Sequence, residues 1–185
     1  AFLETKKEII ESAPFLVLDA NLDEESIQYA SRTAKGIVVC DAVSTLKAGR
    51  LFSSFPYINI LKPNLMELEY LSGVKTTDEK SIRDAGFALI EKGVGTVVAT
   101  AGENGAYYIT PNSFIHAYGD KLDVKNTNGA GDSFLSGFVF ALSEGLDEKD
   151  SLKMALSASR ITIMEENTVS NNIEGEILYK LSKEI

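Results

Sequence analysis

Short apolar runs rich in branched residues alternate along this chain with stretches whose apolar positions recur at helical spacing. Strands are predicted at 15–18, 36–40, 57–61 and 95–100, with helices over 24–34, 47–52, 65–71 and 81–92 between them. This alternation is the rhythm of a doubly wound α/β domain with a largely parallel sheet. Two further runs, 107–110 and 113–117, flank Pro111-Asn112 and read as an antiparallel hairpin at one edge. The chain opens on a helical pattern of Phe2, Leu3, Lys6, Ile9 and Ile10. Phe134, Leu135, Phe138, Val139 and Leu142 then define a helix that begins near Gly129 and ends by Gly145. Leu152, Ala155, Leu156 and Ile161 mark the next helix, with Asp147 as its cap and Asp150 at capping-box spacing. Ile173, Ile177, Leu178 and Leu181 mark the last.

A chain of 185 residues, 44% of them hydrophobic, supports one substantial core, so a single domain is expected. The first residue is Ala1 and the pattern there is already helical, so the stretch is read as the later part of a longer protein. A net charge of -9 with no local basic cluster argues against a nucleic-acid surface. An anionic ligand would therefore depend on backbone dipoles and a metal ion. The single cysteine, Cys40, sits in an apolar run and fits a buried thiol in a reducing compartment. His116, in a short strand-like run, is read as structural. No apolar run approaches the roughly 18 residues of a membrane span and no signal-peptide pattern is seen, so no membrane partner and a cytoplasmic location are expected.

The chemistry concentrates in residues 125–142, KNTNGAGDSFLSGFVFAL. The first turn of a helix leaves amide N–H groups unpartnered and carries roughly half a positive charge, which suits an anion. Gly129, Ala130 and Gly131 let a phosphate approach the backbone, and Asp132 follows in the same turn. A carboxylate there can take the proton of a substrate hydroxyl while the amides stabilise a transferring phosphoryl group. An acidic first-turn residue is also favourable for structural reasons alone, and Gly-Ala-Gly also permits close packing.

Asp19, Asp41 and Asn64 fall at or just after predicted strand ends, where ligands of parallel sheets gather. Asp19 and Asn21 are read as helix caps. In 61–71, LKPNLMELEYL, Asn64 and Glu67 have capping-box spacing, yet the same pair can orient a nucleotide phosphate and a hydrated Mg ion. Thr100, Gly102 and Gly105 follow a strand and are able to wrap a phosphate or ribose, as they are able to form a plain turn. The small residues 155–159 suit either an adenine wall or close helix packing.

Together these motifs resemble the PfkB, or ribokinase-like, family of sugar and nucleoside kinases. Its Asp-Thr-x-Gly-Ala-Gly-Asp signature resembles Asn126-Thr127-Asn128-Gly129-Ala130-Gly131-Asp132, its Lys-Pro-Asn-x-x-Glu segment Lys62 to Glu67, and its Thr-x-Gly-x-x-Gly segment Thr100 to Gly105. The three motifs stand in the family's order and spacing, and the resemblance covers nearly the whole chain. The resemblance implies a Rossmann-like, ribokinase-like sandwich, with residues 1–185 as the C-terminal catalytic and ATP-binding part. The family's N-terminal portion and β lid, which close over the acceptor and often carry a homodimer contact, have no counterpart here.

Carried over, the resemblance implies Asp132 as the base, with Gly129, Ala130 and Gly131 as its anion hole. Asn64 and Glu67 would organise phosphates and Mg, while Thr100, Gly102, Gly105, Thr127 and Asn128 would contact ATP. Asn126 stands where the family holds Asp near a monovalent cation; its amide oxygen can still coordinate potassium, with one charge fewer to hold it. Asp41-Ala42-Val43-Ser44 with Lys47, Asn126, Ile161-Thr162 and Asn167-Thr168-Val169-Ser170 look most similar to the family's pseudouridine kinases. The activity so implied is transfer of the ATP γ-phosphoryl group to the 5'-hydroxyl of pseudouridine. Kinases of ribose or fructose, and a nucleotide-binding module without turnover, are the alternatives.

Overall fold

The computed structural model describes residues 2–119, 128–164, 175–183 and 185. They form two compact units, one of Ala1–Ala99 with Ile109–Phe114, the other of Thr100–Tyr108 with Ile115–Ile185.

In chain order the first unit holds a 3-10 turn at Leu3–Lys6, α1 (Lys7–Ser12), β1 (Phe15–Asp19), α2 (Glu24–Thr33) and β2 (Ile37–Asp41). It continues through α3 (Thr45–Ala48), β3 (Ile60–Lys62), α4 (Leu65–Ser72), α5 (Glu79–Glu91) and β4 (Thr96–Thr100), whose last residue belongs to the second unit. β5 (Ala106–Ile109) and β6 (Phe114–Ala117) complete a six-stranded sheet ordered β1-β2-β3-β4-β5-β6. The first three pairings are parallel, as helical crossovers require. Residues 110–113 are too few for a crossover, so β5 and β6 form the expected antiparallel hairpin, closed by Thr110 N–H donating to the Ser113 carbonyl at 2.9 Å. The sheet is thus mixed, with helices in the crossovers, an α/β architecture.

Periodicity explains the helices. α2 buries Ile27, Ala30 and Ser31, and α5 buries Ile82, Ala85, Gly86 and Leu89, each set on one helical face. Both start on an aspartate: Asp23 accepts from Ser26 N–H and Asp78 from Ser81 N–H, which holds each carboxyl below its ordinary range. The cap of α2 is therefore Asp23, not Asp19 or Asn21; Asp19 instead accepts from Asn21 N–H within the preceding turn.

Two boundaries differ from expectation. The predicted helix over 47–52 is one α-helical turn, α3, followed by a 3-10 segment, Gly49–Tyr57, that contains Pro56. Proline has no N–H for the α-helical ladder, and the tighter winding buries Leu51, Ser54 and Phe55. That segment takes Tyr57 out of the expected strand, leaving three residues, all buried, in β3. Cys40 is fully buried, as expected, and loss of solvation raises its thiol well above the ordinary range.

The second unit is dominated by α6 (Ala130–Ser143), α7 (Glu148–Met164) and α8 (Gly175–Ser182). α6 buries Phe134, Leu135, Gly137, Phe138 and Ala141. A Cβ on Gly137 would lie 2.7 Å from Ala158 Cβ and 3.0 Å from the Met154 carbonyl oxygen. The small residues of α7 are thus explained by close approach of these two helices. Gly137→Val is expected to cost about 1–3 kcal/mol through overpacking. Its check is the denaturant midpoint of the complete protein, and an unchanged midpoint would refute the close-packing account. Ala141, Met154, Ala158 and Leu178 join the three helices in one cluster.

Candidate functional site

The residues singled out from sequence fall into two groups, one in each unit. In the first, register sets the chemistry. β1, β2 and β3 end together, with Asp19 opposite Asp41 and Asp41 opposite Lys62, so three charged side chains stand in a row at the carboxyl end of the sheet. Lys62 Nζ donates to Asp41 Oδ2 at 2.7 Å, and both residues are buried. The other Asp41 oxygen accepts from Val43 N–H at 2.9 Å. Val43 has φ +62, unusual for a branched residue, and Ser44 N–H closes the turn on the Ala42 carbonyl at 2.7 Å. Nearby, Lys47 Nζ donates to Asn21 Oδ1, and Arg50 Nη1 donates to the carbonyls of Ala20, Asn21 and Leu22.

Just past β3, Asn64 caps α4 in a complete capping box. Glu67 N–H donates to Asn64 Oδ1 at 2.9 Å, and Asn64 N–H returns to Glu67 Oε2 at 2.8 Å. Asn64 Nδ2 adds a third bond, to Glu67 Oε1, at 2.8 Å. Burial pushes the Glu67 carboxyl above its ordinary range, against the Asn64 bonds and the Lys62 charge, which pull it down. The two readings of this pair are therefore compatible, since the same bonds that start the helix fix a carboxylate in place. With both oxygens already accepting, Glu67 suits an ion that keeps its waters, as Mg does. Among the described residues no three or more His, Cys, Asp and Glu side chains gather as an all-protein metal cage.

In the second unit, β4 runs into a tight loop in which Ala101 N–H donates to the Gly105 carbonyl and Gly105 N–H to the Gly102 carbonyl. Gly105 has φ +85 and ψ -132, and a Cβ there would fall 2.0 Å from the Ala117 oxygen. Gly102, at φ +60, has nothing within 4 Å of its Cβ position. His116 is structural in its contacts: its ring stacks 4.1 Å from that of Tyr107, and its Nε2 donates to the Asn104 carbonyl at 2.7 Å.

α6 begins as expected. Gly129 is its N-cap, in the left-handed region at φ +79, with no side chain to cap the first turn. Ala130 and Gly131 follow half-buried, and Asp132 is exposed in the first turn. Ser133 Oγ lies 2.6 Å from Thr162 Oγ1, fastening this end of α6 to α7. Asn128 is exposed in the preceding turn, while Asn126, Thr127 and 167–170 lie outside the described residues.

Sequence reasoning left the Asp41–Lys62 pair unread. Both residues were visible at strand ends, but their pairing depends on the register of β2 against β3, which no local pattern displays.

The model of the pfkB family carbohydrate kinases matches residues 2–174. A ribokinase from Staphylococcus aureus (strain COL) is 31% identical over 85% of this chain and 52% of its own length. A pseudouridine kinase from Escherichia coli (strain K12) is 28% identical over 90% of the chain and 54% of its length. The chain thus spans about half the length of these curated relatives. The structure of Arabidopsis thaliana ribokinase complexed with ribose and ATP superimposes with a TM-score of 0.88, at 23% identity, covering 97% of this chain and 59% of that one. A match over nearly every residue, on a fold shared with a solved ribokinase, establishes that the chain belongs to the pfkB family of carbohydrate kinases.

Proposed function

We propose that residues 1–185 are the C-terminal catalytic and nucleotide-binding part of an ATP-dependent kinase that phosphorylates a hydroxymethyl group of a small sugar or nucleoside, the 5'-hydroxyl of pseudouridine in the first instance. The observation that carries this reading is the start of α6, where a left-handed glycine cap without a side chain precedes an exposed first-turn carboxylate. Asp132 takes the proton of the acceptor hydroxyl as that oxygen attacks the γ-phosphorus. The first-turn amides at Gly129, Ala130 and Gly131 receive the negative charge that grows on the transferring group.

Asn64 and Glu67 would organise the nucleotide phosphates, and Glu67 would hold a hydrated Mg ion, whose charge would offset that of the phosphate oxygens. Thr100, Gly102, Gly105, Thr127 and Asn128 contact ATP, and Asn126 offers an amide oxygen to a monovalent cation such as potassium. The acceptor pocket and any homodimer contact belong to the rest of the complete protein, which works in the cytoplasm on small molecules, without nucleic acid or membrane. No described helix is long and apolar enough to cross a membrane.

The test is ADP production by the complete protein with Mg-ATP and a panel of pseudouridine, uridine, ribose and fructose. Preferred turnover on pseudouridine supports the reading in full. A second reading, a ribose-type acceptor, is favoured by the similarity to ribokinase; turnover on ribose alone would select it. Nucleotide binding with no turnover on any acceptor would leave a binding module. Within the same assay, Glu67→Gln is expected to weaken turnover chiefly at low Mg, since a neutral amide holds a hydrated cation less well than a carboxylate. A loss independent of Mg would return Glu67 to helix capping alone.

A further inference from the structure

The buried Asp41–Lys62 pair has no part in the chemistry above, yet it lies beside the residues that do. Lys62 ends the strand that leads straight into the box, two positions before Asn64, and its ammonium and the Asp41 carboxylate act on Glu67 in opposite senses. Lysine carries its charge on a flexible four-carbon stem and donates in any direction. Among the described residues the one other buried carboxylate is Glu67, five residues further along the chain and only 2% exposed.

Asp41 is itself firmly held. Its Oδ1 anchors the Val43 turn, so Oδ2 is presented to Lys62 from a fixed position. A branched residue persists at φ +62 only where its surroundings over-determine it. The Asp41 anchor and the Ser44–Ala42 bond supply that constraint.

We propose that Asp41 is a positioning residue: by engaging the Lys62 ammonium at the carboxyl end of β2, it keeps that cation off Glu67 and leaves the Asn64–Glu67 box intact to orient a hydrated Mg ion. This rests on the Mg role assigned to Glu67 above. Asp41 governs Glu67 only through Lys62, so removing Lys62 as well is expected to cancel the effect of removing Asp41.

The experiment compares Asp41→Asn with Asp41→Asn/Lys62→Met in the complete protein, by two readouts. The first is the half-saturating Mg concentration in the phosphoryl-transfer assay. The second needs neither metal nor substrate: hydrogen exchange of the Glu67 amide, which the box protects. Asp41→Asn is expected to raise both by ~10-fold, the low end for losing a group that orients a metal-binding residue. The double variant is expected to return both to within ~2-fold of the parent, the usual precision of such cycles.

A pair that serves only folding would lower thermal stability in the single variant while leaving the Mg midpoint and Glu67 exchange unchanged, and that result overturns the proposal. So does a double variant as impaired as the single, because Lys62 would then act on the ligand directly. Where Asp41→Asn fails to accumulate, Asp41→Ser, which also frees Lys62, takes its place in the same comparison with its own Lys62→Met double variant, judged by the same ~2-fold criterion. If the parent protein shows no turnover, the kinase reading has failed separately; the exchange readout still decides whether Asp41 protects the box.

Discussion

Asp132→Asn, made in the complete enzyme, is expected to lower turnover by at least ~10²-fold, the low end for a positioned general base. The carboxamide has the shape of the carboxylate but cannot accept the acceptor's proton at neutral pH. Asp132 is exposed on the first turn of a helix whose other side is buried, so the substitution leaves packing of α6 untouched. Binding of Mg-ATP is accordingly expected to persist, with the loss falling on kcat rather than on KM for the nucleotide. Steady-state kinetics beside a thermal melt check this. A variant with near-normal kcat would remove Asp132 as the base, and one that lost nucleotide binding as well would make it a binding group.

Gly105→Ala is the second large effect, and it falls on stability. The combination of φ +85 and ψ -132 belongs to glycine, and the added Cβ would sit 2.0 Å from the Ala117 oxygen and 2.5 Å from Gly119 N. Both obstacles are backbone and cannot swing aside, so a loss of at least ~2 kcal/mol is expected from strain and overpacking together. Gly102→Ala, with open space around it, is expected to cost only the ~1 kcal/mol of a left-handed non-glycine residue. Denaturant midpoints of the two variants separate these costs, and equal midpoints would refute the geometry. The contrast separates two glycines of one motif: Gly105 shapes the loop, whereas Gly102 stands in open space.

Most of the elements were legible because their signals are local. The asparagine cap at Asn64, the helical spacing of Ile82, Ala85 and Leu89, and the apolar runs at β1, β2 and β4 each report the state of a few neighbouring residues, although the cap of α2 was placed on Asp19 or Asn21 rather than Asp23. The same holds for α6, where the glycine-rich start and the apolar face lie in one continuous stretch. The segment 47–57 was misjudged because its apolar spacing fits an α-helix while Pro56 and burial of Leu51 and Phe55 favour tighter 3-10 winding.

By itself the sequence determined the alternation of strands and helices, the family signature, and the two helix starts that carry Glu67 and Asp132, since each of these is written in consecutive residues. Tertiary structure alone decided which charges stand side by side. That Asp41 faces Lys62 follows from how β2 and β3 are aligned, and that Gly105 admits no side chain follows from the passage of Ala117 beside it. Neighbours brought together by strand register and loop packing are distant along the chain, so local propensity carries no record of them.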